Sequence, residues 1–217
     1  MTVDLWAYEK AVRAKGFARI AGVDEAGRGP LAGPVVSAAV VLPARFDTAG
    51  INDSKQLSAP QRERMYEHIY AGAQAVGIGI VDPVEIDRIN ILRAALLSMA
   101  MAVANIRPRP GYLLIDGTFT IPADFPQQAV IKGDNLSFSI AAASIVAKVT
   151  RDRIMRRYHE DYPQFGFDCH KGYATAAHLE ALACHGPCAI HRRSFRGVCE
   201  CLAGHSQDAI GIAVDEQ

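Results

Sequence analysis

The stretch Arg19-Ile20-Ala21-Gly22-Val23-Asp24-Glu25-Ala26-Gly27-Arg28-Gly29-Pro30-Leu31-Ala32-Gly33-Pro34-Val35-Val36-Ser37-Ala38-Ala39-Val40-Val41-Leu42 decides the fold. Residues 19–23 and 35–42 are apolar and rich in β-branched side chains, which fit a pleated, buried surface. Between them, residues 27–34 hold the glycines and prolines that turn a chain. The reading is strand, bend, strand: a hairpin-like entry to a β-sheet. Asp24 and Glu25 fall where the first strand enters the bend, so their carboxylates leave a rigid element where backbone and ligand approach closely.

Working outward, Ser58 caps a helix to about residue 71, and 75–81 reads as a third strand. Asp82-Pro83-Val84-Glu85 combines an N-cap acceptor, a first-turn proline and an acid, and apolar residues then recur at helical spacing, predicting one helix to about 106. Short strands follow at 111–115 and 129–132, then a helix over 138–158 and another that Thr175 caps and Gly186 ends. No repeat or linker interrupts the series. The expectation is one α/β domain over 1–203, a central mixed five-stranded sheet flanked by helices with a helical C-terminal segment, and a flexible polar tail over 204–217.

Composition excludes more than it assigns. Lys plus Arg and Asp plus Glu both total 23, so bulk charge names no partner. Residues 148–197 nonetheless hold nine Lys or Arg against five acids, an asymmetry suited to a phosphate backbone. Arg151, Arg153, Arg156 and Arg157 read equally well as a solvated helix face paired with Asp152, Glu160 and Asp161. No apolar run reaches the ~20 residues of a membrane span, and the N-terminal segment carries Asp4, Glu9 and Lys10 where a signal peptide is apolar. Five cysteines, an odd number, point away from a disulfide framework and toward a reducing, cytoplasmic setting. Cys184, Cys188, Cys199 and Cys201 crowd near His185 and His191, but their spacing matches no familiar paired zinc knuckle. A monomer that touches no membrane is expected.

The chemistry lies in the acids. Asp116 ends the apolar run Leu113-Leu114-Ile115 beside Gly117, and Asp134 follows the fifth strand and precedes a helix. With Asp24 and Glu25, four carboxylates leave strand ends or the junctions beside them. Converging carboxylates repel unless hard divalent cations bridge them, which implies Mg²⁺ or Mn²⁺. Two such ions would support in-line hydrolysis of a phosphodiester without a side-chain nucleophile, so no histidine is needed. The bend itself, with free amides and one arginine, suits contact with sugar and phosphate.

The string Gly22-Val23-Asp24-Glu25-Ala26-Gly27-Arg28-Gly29-Pro30-Leu31-Ala32-Gly33-Pro34 resembles the signature of the ribonuclease HII family. Asp53-Ser54-Lys55-Gln56-Leu57, Asp116-Gly117, Lys132-Gly133-Asp134, the block 139–152 and His170-Lys171-Gly172-Tyr173 resemble its other blocks in order, over about 20–198. The resemblance implies a ribonuclease H-like fold and an endoribonuclease that cuts 5′ of a ribonucleotide, in RNA/DNA hybrids or embedded singly in duplex DNA. It implies Asp24, Glu25, Asp116 and Asp134 as catalytic metal ligands for Mn²⁺ or Mg²⁺. It further implies that Gly27-Arg28-Gly29 reads the 2′-hydroxyl, that Tyr173 packs on the next, deoxy, sugar, and that Lys55 and Lys148 contact substrate. An isolated tyrosine beside glycine would read as an ordinary half-buried aromatic; the surrounding block gives Tyr173 its role. Ala174 stands where the family more often has Gly, and Arg196-Gly197 where Pro is more usual. A type 3 ribonuclease H and a hybrid-binding module without catalysis are the rivals. A phosphate-loop protein is not, since neither a Walker pattern nor Gly-x-Gly-x-x-Gly opening a helix is present.

Overall fold

The computed structural model describes residues 4–51 and 57–203. Lys55 and the tail over 204–217 lie outside the described residues, and so do the expectations placed on them. In chain order the elements are α1 (Ala7–Ala14), β1 (Ile20–Ala26), β2 (Val35–Val41), α2 (Ala59–Gly72), β3 (Ala75–Val81), α3 (Pro83–Ile89), α4 (Ile91–Asn105), β4 (Tyr112–Asp116), β5 (Gln127–Val130), α5 (Phe138–Asp161), α6 (Phe167–His170) and α7 (Ala176–His185). Short 3₁₀ turns occupy Gly133–Asn135 and Pro163–Phe165.

The strands form one sheet in the order β3-β2-β1-β4-β5. Its first half is antiparallel, and β1–β4 and β4–β5 are parallel, so the sheet is mixed as expected. Side chains alternate across it. Ala38 and Val40 face α5, where they pack with Ala142, Ile145 and Val146. Ala39 and Val41 face α4 and meet Met99, Ala102 and Val103. Burial on both faces explains why β2 is an unbroken apolar run. Gly22 sets how closely α5 lies on the sheet: a Cβ there would stand 2.0 Å from the Ser139 carbonyl carbon.

The structure departs from the expected elements in three places. The helix expected to run to 106 is two, broken at Asn90, which has φ 69° and whose side chain accepts from Arg93 N at 3.1 Å. Apolar periodicity continues across the break because both helices bury the same kind of face; asparagine tolerates positive φ and restarts the helix as a cap. The fifth strand lies at 127–130 rather than 129–132, because Lys132 turns with φ 56° into the Gly133–Asn135 turn. Finally, α1 adds a helix whose buried Glu9 accepts from Ser137 Oγ at 2.6 Å and Ser139 N at 3.0 Å, capping α5 from a distant part of the chain.

Behind α5 the C-terminal segment folds over the bend. Phe165, Phe167 and Ile190 form an apolar cluster with Met155 of α5 and Ala32 of the bend.

Candidate active site

Parallel pairing aligns Val23 of β1 with Ile115 of β4, so Asp24 and Asp116 stand abreast one residue further on. Crevices beyond the carboxyl ends of parallel strands are where open α/β sheets hold ligands. Asp116 is held by the amide of Gly133, which donates to its Oδ1 at 2.7 Å. Asp24 is buried and accepts from Glu25 N at 2.7 Å. Burial, then the charges of Glu25 and Asp116, push the Asp24 carboxyl well above its ordinary range. Burial raises Glu25 as well, against the pull of Arg28, whose Nη1 lies 3.3 Å from Glu25 Oε1.

These acids form one wall of a cleft of about 240 Å³. Gly27, Arg28 and Gly29 of the bend, Ser144, Lys148 and Arg151 of α5, and Tyr173 line the same cleft. A Cβ on Gly29 would lie 3.6 Å from Tyr173 Cε1, so the bend and the tyrosine are neighbours. Tyr173 is 45% exposed, free to offer its ring. Lys148 is bonded to Asp152 at 2.8 Å.

The structure thus brings together Asp24, Glu25, Asp116, Gly27, Arg28, Gly29, Lys148 and Tyr173. Asp134 is buried in the 3₁₀ turn, one residue beyond the amide that holds Asp116, accepts from Asn135 Nδ2 at 2.9 Å, and is not on the cleft wall. Among the described residues no three acidic, histidine or cysteine side chains stand close enough together to hold a metal ion. An open rim of oxygen donors fits Mg²⁺ or Mn²⁺, which keep water or phosphate oxygens in their shell. Asp24, buried beside Glu25 and Asp116, stands where a cation would offset like charges.

Sequence reasoning missed the cleft's foundations. Arg151, read as either solvated or phosphate-bound, is 1% exposed, and Arg192 is 0% exposed. Arg151 donates to the carbonyls of Pro34 at 2.9 Å, Lys171 at 3.0 Å and Ala32 at 3.0 Å. Arg192 donates to those of Gly33 at 2.9 Å, Arg28 at 3.1 Å and Gly27 at 2.6 Å. A signal for Arg151 was present: Ala143, Ala147, Arg151 and Met155 recur every four residues and all are buried. Arg153 and Arg156 do lie on a solvated face, but pair with Glu63 of α2 at 2.6 Å rather than with the acids of their own helix.

Histidines, left out of the chemistry, line the core behind Tyr173. His178 Nδ1 lies 2.9 Å from the Tyr173 carbonyl, which only accepts, so that nitrogen carries the proton. His178 Nε2 then accepts from His191 Nε2 at 3.1 Å, leaving His191 Nδ1 to accept from Cys188 N at 3.0 Å, with Cys188 Sγ at 3.1 Å. Each ring is neutral and in one tautomer. Burial, followed by His178, pushes His191 down to about 4.

A mixed five-stranded sheet with a carboxylate cluster at the ends of its two central parallel strands defines a ribonuclease H-like protein. Residues 21–198 match the family model described as Ribonuclease HII. The chain is 57% identical over 199 residues to a ribonuclease HII of Geobacter metallireducens, covering 92% of this chain and 93% of that one. It is similar in structure to the ribonuclease H2 of Pyrococcus horikoshii, with a TM-score of 0.74 and 27% identity over 87% of this chain and 99% of that one. It is also similar to the RNase HII solved in complex with PCNA from Archaeoglobus fulgidus, with a TM-score of 0.71 and 29% identity over 82% of this chain and 95% of that one. The chain belongs to the ribonuclease HII family and is a ribonuclease H-type enzyme, acting on RNA in RNA/DNA hybrids. No described helix is long and apolar enough to cross a membrane.

Proposed function

We propose that the chain hydrolyses the phosphodiester on the 5′ side of a ribonucleotide, both in hybrids and where one ribonucleotide is embedded in duplex DNA, leaving 3′-hydroxyl and 5′-phosphate ends. Its role is then ribonucleotide removal from DNA in the cytoplasm, by one catalytic domain over 1–203 acting as a monomer. The observation that carries this reading is one cleft lined by Asp24 and Asp116 abreast, by Gly27-Arg28-Gly29, and by Tyr173 beside Gly29.

Asp24, Glu25 and Asp116 would hold two Mg²⁺ or Mn²⁺ ions, and Asp134, one residue beyond the Gly133 amide that fixes Asp116, would join them. Such ions supply a more acidic water and charge compensation for the departing 3′ oxygen. The chain supplies position. Gly133 N fixes Asp116, and Arg28 orients Glu25 at the mouth of the cleft. Lys148, tethered to Asp152, offers positive charge to a backbone phosphate. The amides of the bend test for a 2′-oxygen, the group that separates ribose from deoxyribose. Tyr173 packs against the following sugar, where an added hydroxyl would obstruct the ring.

The test is gel-resolved cleavage of a DNA duplex carrying one ribonucleotide, beside an RNA/DNA hybrid, each with Mg²⁺, Mn²⁺ or EDTA. A metal-dependent cut 5′ of the single ribonucleotide is expected. Cleavage of the hybrid alone would favour type 3 behaviour, and no cleavage of either a binding module.

A further inference from the structure

Two cations buried side by side need an explanation that the catalytic reading does not give. Arg192 and Arg151 between them hold six carbonyls: five of the bend (Gly27, Arg28, Ala32, Gly33 and Pro34) and that of Lys171, two residues before Tyr173. Burial and the neighbouring Arg151 push Arg192 down to about 9, so it stays charged at neutral pH despite the cost.

The direction of those bonds has a consequence in the cleft. In a planar trans peptide the C=O and the following N–H point opposite ways. The Gly27–Arg28 and Arg28–Gly29 peptides are both trans. With the carbonyls of Gly27 and Arg28 turned inward onto the two terminal nitrogens of Arg192, the N–H groups of Arg28 and Gly29 turn outward, on the wall that lines the cleft. Neither amide donates to any acceptor among the described residues, and both residues are exposed, so the two donors are open to a ligand in the cleft. Gly27 keeps φ 101°, and a Cβ there would stand 2.2 Å from Arg151 Nε, so only glycine lets the bend lie this close to the arginine.

We infer that Arg192, backed by Arg151, is a positioning residue for ribose recognition: it fixes the bend carbonyls-inward, so that the Arg28 and Gly29 amides form a two-donor receptor for a sugar 2′-oxygen. The inference rests on the proposed reading of the bend as the ribose sensor. It also explains why arginine is used. A planar fork satisfies two adjacent carbonyls at once, while a lysine ammonium is a single point of charge.

Arg192→Lys is the test, with Ca²⁺ in place of Mg²⁺ so that binding is read without relying on turnover. Affinity is measured for a DNA duplex with one ribonucleotide and for its all-DNA counterpart. The unaltered protein is expected to prefer the ribonucleotide duplex about tenfold or more, the worth of one or two hydrogen bonds. Arg192→Lys should bring that ratio close to one with all-DNA affinity unchanged. A purely structural role would lower both affinities together, and that result, or a preserved ratio, overturns the inference while leaving the site reading intact. No preference in the unaltered protein overturns the ribose-sensor reading and the inference with it. If Arg192→Lys does not fold, amide NMR on the unaltered protein decides. Arg28 and Gly29 resonances that exchange rapidly and shift only with the ribonucleotide duplex support the inference; slow exchange before ligand is added overturns it.

Discussion

Two clusters of charge, one at the cleft and one beneath its bend, are handled in opposite ways. At the ends of β1 and β4 like charges are crowded: Asp24 is shielded from water beside Glu25 and Asp116. The arginines beneath the bend are fully engaged, each with three backbone carbonyls. A buried charge engaged by backbone carbonyls is structure; like charges crowded together favour a counter-ion from outside. The acid wall is therefore where cations are expected, and the arginine cluster is where shape is stored.

The contrast breaks first at Asp116. Asp116→Asn keeps an oxygen for Gly133 N but loses a ligand charge, so turnover should fall by more than about a hundredfold, the upper range seen for groups that merely support ligands. The melting temperature in EDTA should hold or rise, because one repelling carboxylate is gone. Cleavage at the unaltered rate would mean the acid wall does not hold the metal.

At the arginines stability should suffer. Arg192→Leu leaves the carbonyls of Gly27, Arg28 and Gly33 without their donor, and should lower the unfolding free energy by roughly 3 kcal/mol or more, read by urea titration. A loss below about 1 kcal/mol would show that the bend holds itself.

The histidines sharpen the same comparison by pH. His191 is pushed from 6.5 to about 4 in the folded protein, so between those values the unfolded chain binds the extra proton. The stabilisation is complete above pH 6.5 and is lost as pH falls toward 4, by about 2 kcal/mol between pH 7 and pH 5. His191→Gln should flatten that part of the stability profile; an unchanged slope would assign it elsewhere.

The smallest effect is at Tyr173. Being 45% exposed, it can become alanine at a cost within about 0.5 kcal/mol of stability, while discrimination for the RNA-to-DNA junction falls. Tyr173→Phe keeps the apolar ring face and should cleave at nearly the unaltered rate in the same gel assay.

The fold was legible wherever burial imposes a period or a turn demands a special residue. The two runs around the bend, the cap at Ser58 and the helix start at Asp82 all stand where the sequence predicts them. Asn90 escaped because an apolar stripe continues through it, and α1 escaped because Glu9 acts on Ser137 and Ser139, far along the chain. For the site, strand ends announced Asp24 and Asp116. Arg151 and Arg192 were hidden because charge in a sequence reads as surface, and the carbonyls that make their burial tolerable come from other segments.

By itself, then, the sequence determined which residues enter strands and helices and which acids leave the strand ends, since those follow from local period, turn chemistry and neighbouring residues. Tertiary structure alone decided that β1 lies beside β4, which sets Asp24 next to Asp116, and that two arginines more than 100 positions from the bend lock its carbonyls inward. Both depend on contacts between distant segments, whose energy no local stretch of chain carries.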